Sequence, residues 1–341
     1  MRKNMRQQTL VWQTFVVLCF STLLSACGGG TSSQTLPAQK DNSAQDYVNR
    51  TIDIMQANSL YRKSLAWSDI RSASLAELGT APNSRSIDAA LKMALRMLGD
   101  HHSFITKANG EMIFGDSLSR SCAAPGEAKP SLPEDVGYIK IKGNYQTNST
   151  ATADPATQAI ELQGSIKAQV KVTLIGWIVD LRDNGGGNMW PMIAGIGPIL
   201  GEGSLGYFTD ALNQRQRWTY IAGQAKLDNT SQFTVTNPYS SPFPSPKIAL
   251  LTDCQTGSSG EAVIVAFRGR PNTRSFGTPS FGVSTGNQTF PLSDGATLYL
   301  TTVALADRNG VTYNGRIEPD EVIDDTLKVQ ARAIAWLRGT E

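Results

Sequence analysis

The sequence predicts an α/β protein with a helical N-terminal part. Two stretches before residue 100 carry apolar side chains at helical spacing. From residue 136 the pattern changes to short apolar runs, VGYIKIK, IGWIVDLR, KIALLT and TLYLTTVAL, separated mostly by helix-like segments. Such alternation builds a sheet that is at least partly parallel. In addition, two of these runs lead straight into turns made of Gly, Ser and Asn, the places where an α/β sheet exposes backbone amides to a ligand.

Residues 1–26 read as a segment outside the fold. Arg2, Lys3 and Arg6 precede an apolar stretch from about Leu10 to Leu24, too short and polar for a stable membrane span, and the segment has the layout of a signal peptide. It ends in Leu24-Ser25-Ala26-Cys27, which resembles a bacterial lipobox and makes Cys27 the expected lipidation site, with an ordinary cleaved signal as the alternative. Residues 27–44, GGGTSSQTLPAQKDNSAQ in their main part, have almost nothing apolar to bury and read as a flexible tether. Removing residues 1–26 takes away three basic residues and no acid, so the formal net charge of +2 becomes −1. A near-neutral chain without a basic patch argues against nucleic acid as a partner. In an exported chain Cys122 and Cys254 could form a disulfide or remain two buried thiols.

The helical part, residues 45–125, begins with periodicity over 44–72, where Val48, Ile52 and Met55 share one face. In the next helix Ser86 is the expected cap, Ile87, Leu91, Leu95 and Leu98 form the stripe, and Gly99 is the stop. Asp100-His101-His102-Ser103 follows, and a Pro/Gly/Ser-rich stretch over 116–133 leads into the α/β core, residues 126–341. There VGYIKIK (136–142) is a strand, and Asp154-Pro155 opens a helix with a capping residue and a first-turn proline. IGWIVDLR (175–182) runs into Asn184-Gly185-Gly186-Gly187 and a helix-like segment at Met189–Ile199. KIALLT (247–252) feeds Thr256-Gly257-Ser258-Ser259-Gly260 and a helix from about Glu261. TLYLTTVAL (297–305) is the last strand before a C-terminal helix over 326–338.

Strand, sharp turn, helix is the geometry that exposes a nucleophile and offers it free helix N–H groups. The segment around Ser258 occupies that place, although Thr256 stands where a G-x-S-x-G elbow would have its first glycine. The glycine turn at 185–187 fits neither G-x-x-x-x-G-K-[ST] nor G-x-G-x-x-G, which leaves a structural turn or half of an oxyanion hole. The chain has two histidines, adjacent, so any histidine base is His101 or His102, and a zinc site is not expected.

Three separated segments resemble the C-terminal-processing (tail-specific) serine peptidase family: IVDLRDNGGG, TGSSGE, and SFGVSTGNQTFPLSDGATLYLTTVAL with GRIEPDEVI. The likeness spans roughly residues 85–105 and 136–325. It implies a crotonase/Clp-protease-like core, a peptide or protein substrate and no cofactor or metal. It also implies Ser258 as nucleophile, with the amides of Ser259 and Gly187 as oxyanion hole. Well-known members carry a Lys base directly after a [ST]-F-G triplet, where this chain has Val283 after Ser280-Phe281-Gly282. They also carry a PDZ domain, for which the roughly 30 residues between Ser103 and Val136 leave no room. The chain is more similar to the PDZ-less branch that includes the nisin resistance protein. That branch has a D-x-H-S histidine as base, and Asp100-His101-His102-Ser103 then makes His102 the base. A carboxylate is wanted on the far imidazole nitrogen, and Glu318 and Asp320 are the candidates, with loop capping as their other reading.

The expected protein is therefore a serine peptidase of the bacterial cell envelope, tethered to a membrane through its N-terminal lipid. Its rival is a non-catalytic peptide-binding lipoprotein on the same fold, suggested by Gly260 and the missing Lys. A thiol hydrolase using Cys254 is a further alternative.

Overall fold

The computed structural model describes residues 41, 43–80, 82–116, 132–144, 154–243 and 245–340. The expected signal, Cys27 and Cys122 lie outside the described residues. Three helices come first: α1 (Ala44–Asn58), α2 (Trp67–Leu78) and α3 (Ser84–Leu98). The periodicity over 44–72 is thus two helices, not one. After Asn58 the chain leaves the helical path, and the Leu60 N–H donates to the Thr301 carbonyl at 2.9 Å. The N-cap of α3 is Asn83, not Ser86; Ser86 sits three residues on and returns its hydroxyl to the Asn83 N–H, closing a capping box. Gly99, left-handed at φ 66°, ends α3 as expected.

The chain continues as β1 (Phe104–Thr106), β2 (Met112–Phe114), β3 (Val136–Lys140), α4 (Pro155–Gln169), β4 (Gly176–Asp180) and α5 (Met189–Leu200). Four strands follow, β5 (Gly203–Asp210), β6 (Arg215–Ile221), β7 (Gln224–Leu227) and β8 (Thr230–Thr234), then β9 (Lys247–Thr252) and α6 (Ser259–Phe267). The last elements are β10 (Thr273–Gly277), β11 (Thr285–Pro291), β12 (Thr297–Asp307), β13 (Thr312–Tyr313), β14 (Glu321–Val322) and α7 (Thr326–Arg338).

Five strands form a parallel sheet in the order β14-β10-β9-β4-β3. Both faces of its middle are covered, which is why β4 and β9 read as apolar runs, while β10 and β14 toward one edge do not. Trp177, Val179, Ile248 and Leu250 pack on one face with side chains of α4, α5 and α6. Ile178, Ala249 and Leu251 pack on the other with Val329, Ala333 and Leu337 of α7.

The remaining nine strands form a second, antiparallel sheet, organised on the long β12. One edge of β12 pairs with β11 and β13, the other with β1 and, further along, β5. Between β1 and β5 that edge would leave Thr301 unpaired. Its carbonyl takes the Leu60 N–H, and its N–H donates to Ser103 Oγ at 2.9 Å. The helices α1–α3 share a core with this sheet through Ile105, Ile113, Phe290, Leu298 and Leu300.

Candidate active site

The adjacent strands β4 and β9 end side by side, and the turns that follow them interlock. The Gly257 N–H donates to the Asn184 carbonyl at 2.9 Å, and Thr256 Oγ1 donates to the Leu181 carbonyl at 2.9 Å. A Cβ on Gly186 would stand 2.8 Å from Ser258 Cβ, and one on Gly260 would stand 2.5 Å from the Asn184 carbonyl oxygen. Neither position tolerates a side chain. Gly260 is a packing requirement of the turn.

Ser258 sits at φ 52° and ψ −115°, a backbone conformation that L-residues rarely adopt and that surrounding structure must impose. The restraint is visible: its N–H donates to Glu261 Oε2 at 2.8 Å. Glu261 is fully buried and also receives Ser280 Oγ at 2.5 Å, the Gly282 N–H at 2.9 Å and the Val283 N–H at 3.0 Å. Burial pushes its carboxyl up to about 7, against the pull of those four donors. Glu261 therefore ties the serine turn to the segment 280–283. Val283, which replaces the family Lys, lies against that turn, its Cγ2 3.6 Å from where a Gly257 Cβ would be.

Next after Ser258, Ser259 opens α6, so its N–H has no partner within the helix. Its hydroxyl donates to the Gly187 carbonyl at 2.6 Å. The Gly186 carbonyl accepts the Asn144 N–H at 3.0 Å. In a trans peptide that turns the Gly187 N–H the opposite way. Among the described residues neither the Ser259 nor the Gly187 N–H has an acceptor.

His102 reaches Ser258 from the other sheet. Its Nε2 is 3.0 Å from Ser258 Oγ, and its Nδ1 is 2.7 Å from Thr285 Oγ1. Asp100 builds the approach: Oδ1 accepts the N–H groups of His102 and Ser103 at 3.0 and 2.8 Å, and Oδ2 accepts Ser103 Oγ at 2.6 Å. Ser103 in turn accepts the Thr301 N–H, so the D-x-H-S pattern is a small scaffold that docks the histidine on β12. His101 is exposed and left-handed at φ 55°, and of the two histidines it is His102 that bonds the serine. Burial pushes His102 down to about 4, opposed by the Asp100 charge, although the residue as a whole is only partly buried.

The acids expected behind His102 are elsewhere. Asp320 accepts Arg268 Nη1 at 2.6 Å and the Ser275 N–H and Oγ at 2.7 Å, and the Glu318 carbonyl accepts Arg268 Nη2. Both belong to a loop braced by Arg268. The group on Nδ1 is Thr285, 183 residues from His102, a contact with no local sequence signature. Cys254 is disulfide-bonded, which removes it as a thiol nucleophile, while Cys122 lies outside the described residues. A cavity of about 240 Å³ lined by Tyr47, Asp88, Leu91, Lys107 and Asp294 lies in the helical part and contains neither Ser258 nor His102.

Residues 135–323 match the model of peptidase family S41. The chain belongs to that family. It is 29% identical over 304 residues to the nisin-resistance protein of Lactococcus lactis subsp. lactis, covering 87% of this chain and 88% of that protein. A lipoprotein structure from Streptococcus agalactiae superposes with a TM-score of 0.65 at 28% identity, covering 89% of this chain and 99% of that one. The photosystem II D1 C-terminal processing protease shares the fold, with a TM-score of 0.56 at 14% identity over 86% of this chain and 97% of its own.

Proposed function

We propose that this member of the family is a serine endopeptidase of the C-terminal-processing kind, working through Ser258 and His102. The observation that carries this is the 3.0 Å contact between Ser258 Oγ and His102 Nε2, made across 156 residues onto a serine held at positive φ. In this reading Ser258 Oγ attacks a peptide carbonyl and its proton passes to His102 Nε2. The Ser259 and Gly187 N–H groups hold the oxyanion. On collapse the C–N bond breaks and His102 returns the proton to the leaving amine. Water, deprotonated by His102, then attacks the acyl carbon; the bond to Ser258 Oγ breaks, the acid leaves, and His102 returns the proton to Oγ.

Two observations favour the peptidase over the non-catalytic alternative: packing accounts for Gly260, and His102 lies within hydrogen-bond distance of Ser258 although the Lys is absent. A fluorophosphonate probe should label Ser258, and Ser258→Ala should abolish both labelling and peptide hydrolysis. Ser259→Ala should lower kcat by about tenfold with KM little changed, since it frees the Gly187 carbonyl by one hydrogen bond. Equal loss in the two variants, or an unlabelled wild type, would overturn the assignment.

The substrate class is a peptide. The nisin-resistance relative makes nisin the first to assay, before envelope protein tails and cell-wall peptides. Anchoring is read from Leu24-Ser25-Ala26-Cys27 and supported by the lipoprotein relative, and it places the peptidase in the cell envelope. Cys27→Ser should lose lipid labelling and leave the membrane fraction; a lipidated variant would refute it.

A further inference from the structure

We propose that Thr285 is the positioning residue for His102: its hydroxyl accepts the Nδ1–H and holds the ring in the tautomer whose Nε2 faces the Ser258 proton. The inference rests on the peptidase reading of the Ser258–His102 pair and adds the group that such a pair needs behind its base.

A neutral imidazole can take a proton at Nε2 only if its single N–H is on Nδ1. At 2.7 Å and with Thr285 only 6% exposed, the Thr285 oxygen is in place to accept that N–H, and the Ser258 proton aimed at Nε2 is what makes Nδ1 the donor of the pair. The rest of β11 and β12 fixes the backbone behind the ring. Asn287, two residues from Thr285 and so on the same side of β11, donates Nδ2 to the His102 carbonyl at 2.8 Å. Thr301 Oγ1 holds the Asn287 amide by donating to its Oδ1 at 3.0 Å. A bulge in the β11–β12 pairing between Gly286 and Asn287 adjusts the strand where it meets the histidine.

Among the described residues no carboxylate is hydrogen-bonded to Nδ1. On the histidine's own segment Asp100, whose charge opposes the effect of burial on the ring, gives its oxygens to Ser103 and to the His102 and Ser103 N–H groups. From α6, Glu261 is turned to Ser258 N–H and the 280–283 segment. The Asp320 carboxylate is taken by Arg268 and Ser275, and Glu318 belongs to the same loop, its backbone carbonyl accepting from Arg268. The chemical consequence is specific. A hydroxyl orients the ring as a carboxylate would, but adds no negative charge to stabilise the imidazolium, so the base stays neutral further into acid.

Uniform 15N-histidine labelling of the full chain gives two ring systems, and His101→Asn, which tolerates a left-handed backbone, assigns them. At pH 7 the wild-type His102 should show a protonated Nδ1 and a bare Nε2. Thr285→Val should populate the other tautomer and lower kcat by about 10- to 100-fold with KM within about threefold. Thr285→Ser should restore both. Thr285→Asp should move the acid limb of kcat/KM up by about 1–3 pH units. If thermal melting shows that the valine does not fold, Thr285→Ala, which adds no bulk, gives the same readings. A wild-type tautomer and near-wild-type kcat in the valine or alanine variant would overturn the proposal, as would an unmoved limb in the aspartate variant. Should the protein neither hydrolyse peptides nor take the fluorophosphonate, the peptidase reading fails, yet the tautomer in Thr285→Val still decides whether Thr285 holds the ring.

Discussion

His102 loses solvent on its Ser258 and Thr285 side, and the resulting fall to about 4 has a measurable consequence. A base must be neutral to accept a proton, so kcat/KM should stay level from pH 8 to about 5 and decline only as pH falls through about 4. An unperturbed histidine would place that limb near 6.5. The same shift has a stability arm. The folded value lies below the unfolded one, so the unfolded chain binds the extra proton first. Stability contributed by neutral His102 is complete above about 6.5 and is lost as pH falls toward 4. A pH–rate profile on a short peptide checks the first point, and an acid limb at 6.5 or above would contradict the desolvated site. His102→Ala should remove the limb along with most of the activity, by several orders of magnitude.

Among the elements, the turn between β9 and α6 depends most on one buried side chain. Glu261 accepts four hydrogen bonds with its two oxygens, and a glutamine could accept on one oxygen only. Glu261→Gln would leave two buried donors facing an NH₂ group, at a cost of about 1–3 kcal/mol each. It would also free the Ser258 N–H or the 280–283 segment, so activity should fall with stability. The sign with pH is opposite to that of His102. Burial raises Glu261 to about 7, so its contribution is full below about 4.5 and diminishes as pH rises through 7. The melting difference between wild type and Glu261→Gln should change between pH 4.5 and pH 7.5, and a difference independent of pH would exclude a carboxyl that titrates in that range.

At this scale the three parallel strands β3, β4 and β9 were legible because burial on both faces makes them largely apolar runs, whereas β10 (TRSFG) and the two-residue β14 carry too few apolar residues to be read. The strands β5–β8 were not, since one face is wet and residues such as Arg215, Gln216 and Arg217 interrupt any run. Ser258 and His102 could be picked out because strand–turn–helix geometry and a chain with two histidines leave few choices. Thr285 could not, because an uncharged hydroxyl 183 residues away leaves no pattern.

In the molecule as a whole, the two members of the pair come from different layers. Ser258 rides on the parallel sheet, whose core includes Trp177 and Leu250. His102 is carried by the antiparallel sheet and α1–α3, whose core includes Trp67, Leu91, Leu298 and Leu300. The described residues belong to one compact unit, and β12 runs through both regions, with Leu298 and Leu300 in one core and Leu305 in the other. If that unit unfolds cooperatively, loss of activity and loss of both cores are one event. In urea, peptide hydrolysis, Trp67 fluorescence read against a Trp67→Phe variant, and far-UV circular dichroism should then share one midpoint. Leu298→Ala removes buried methyls far along the chain from Ser258 and should cost about 2–5 kcal/mol. It should move all three midpoints together to lower urea. A helical signal that melts first, leaving Ser258 reactive to fluorophosphonate but unable to turn over peptide, would show instead that the histidine-bearing layer opens independently of the serine-bearing one.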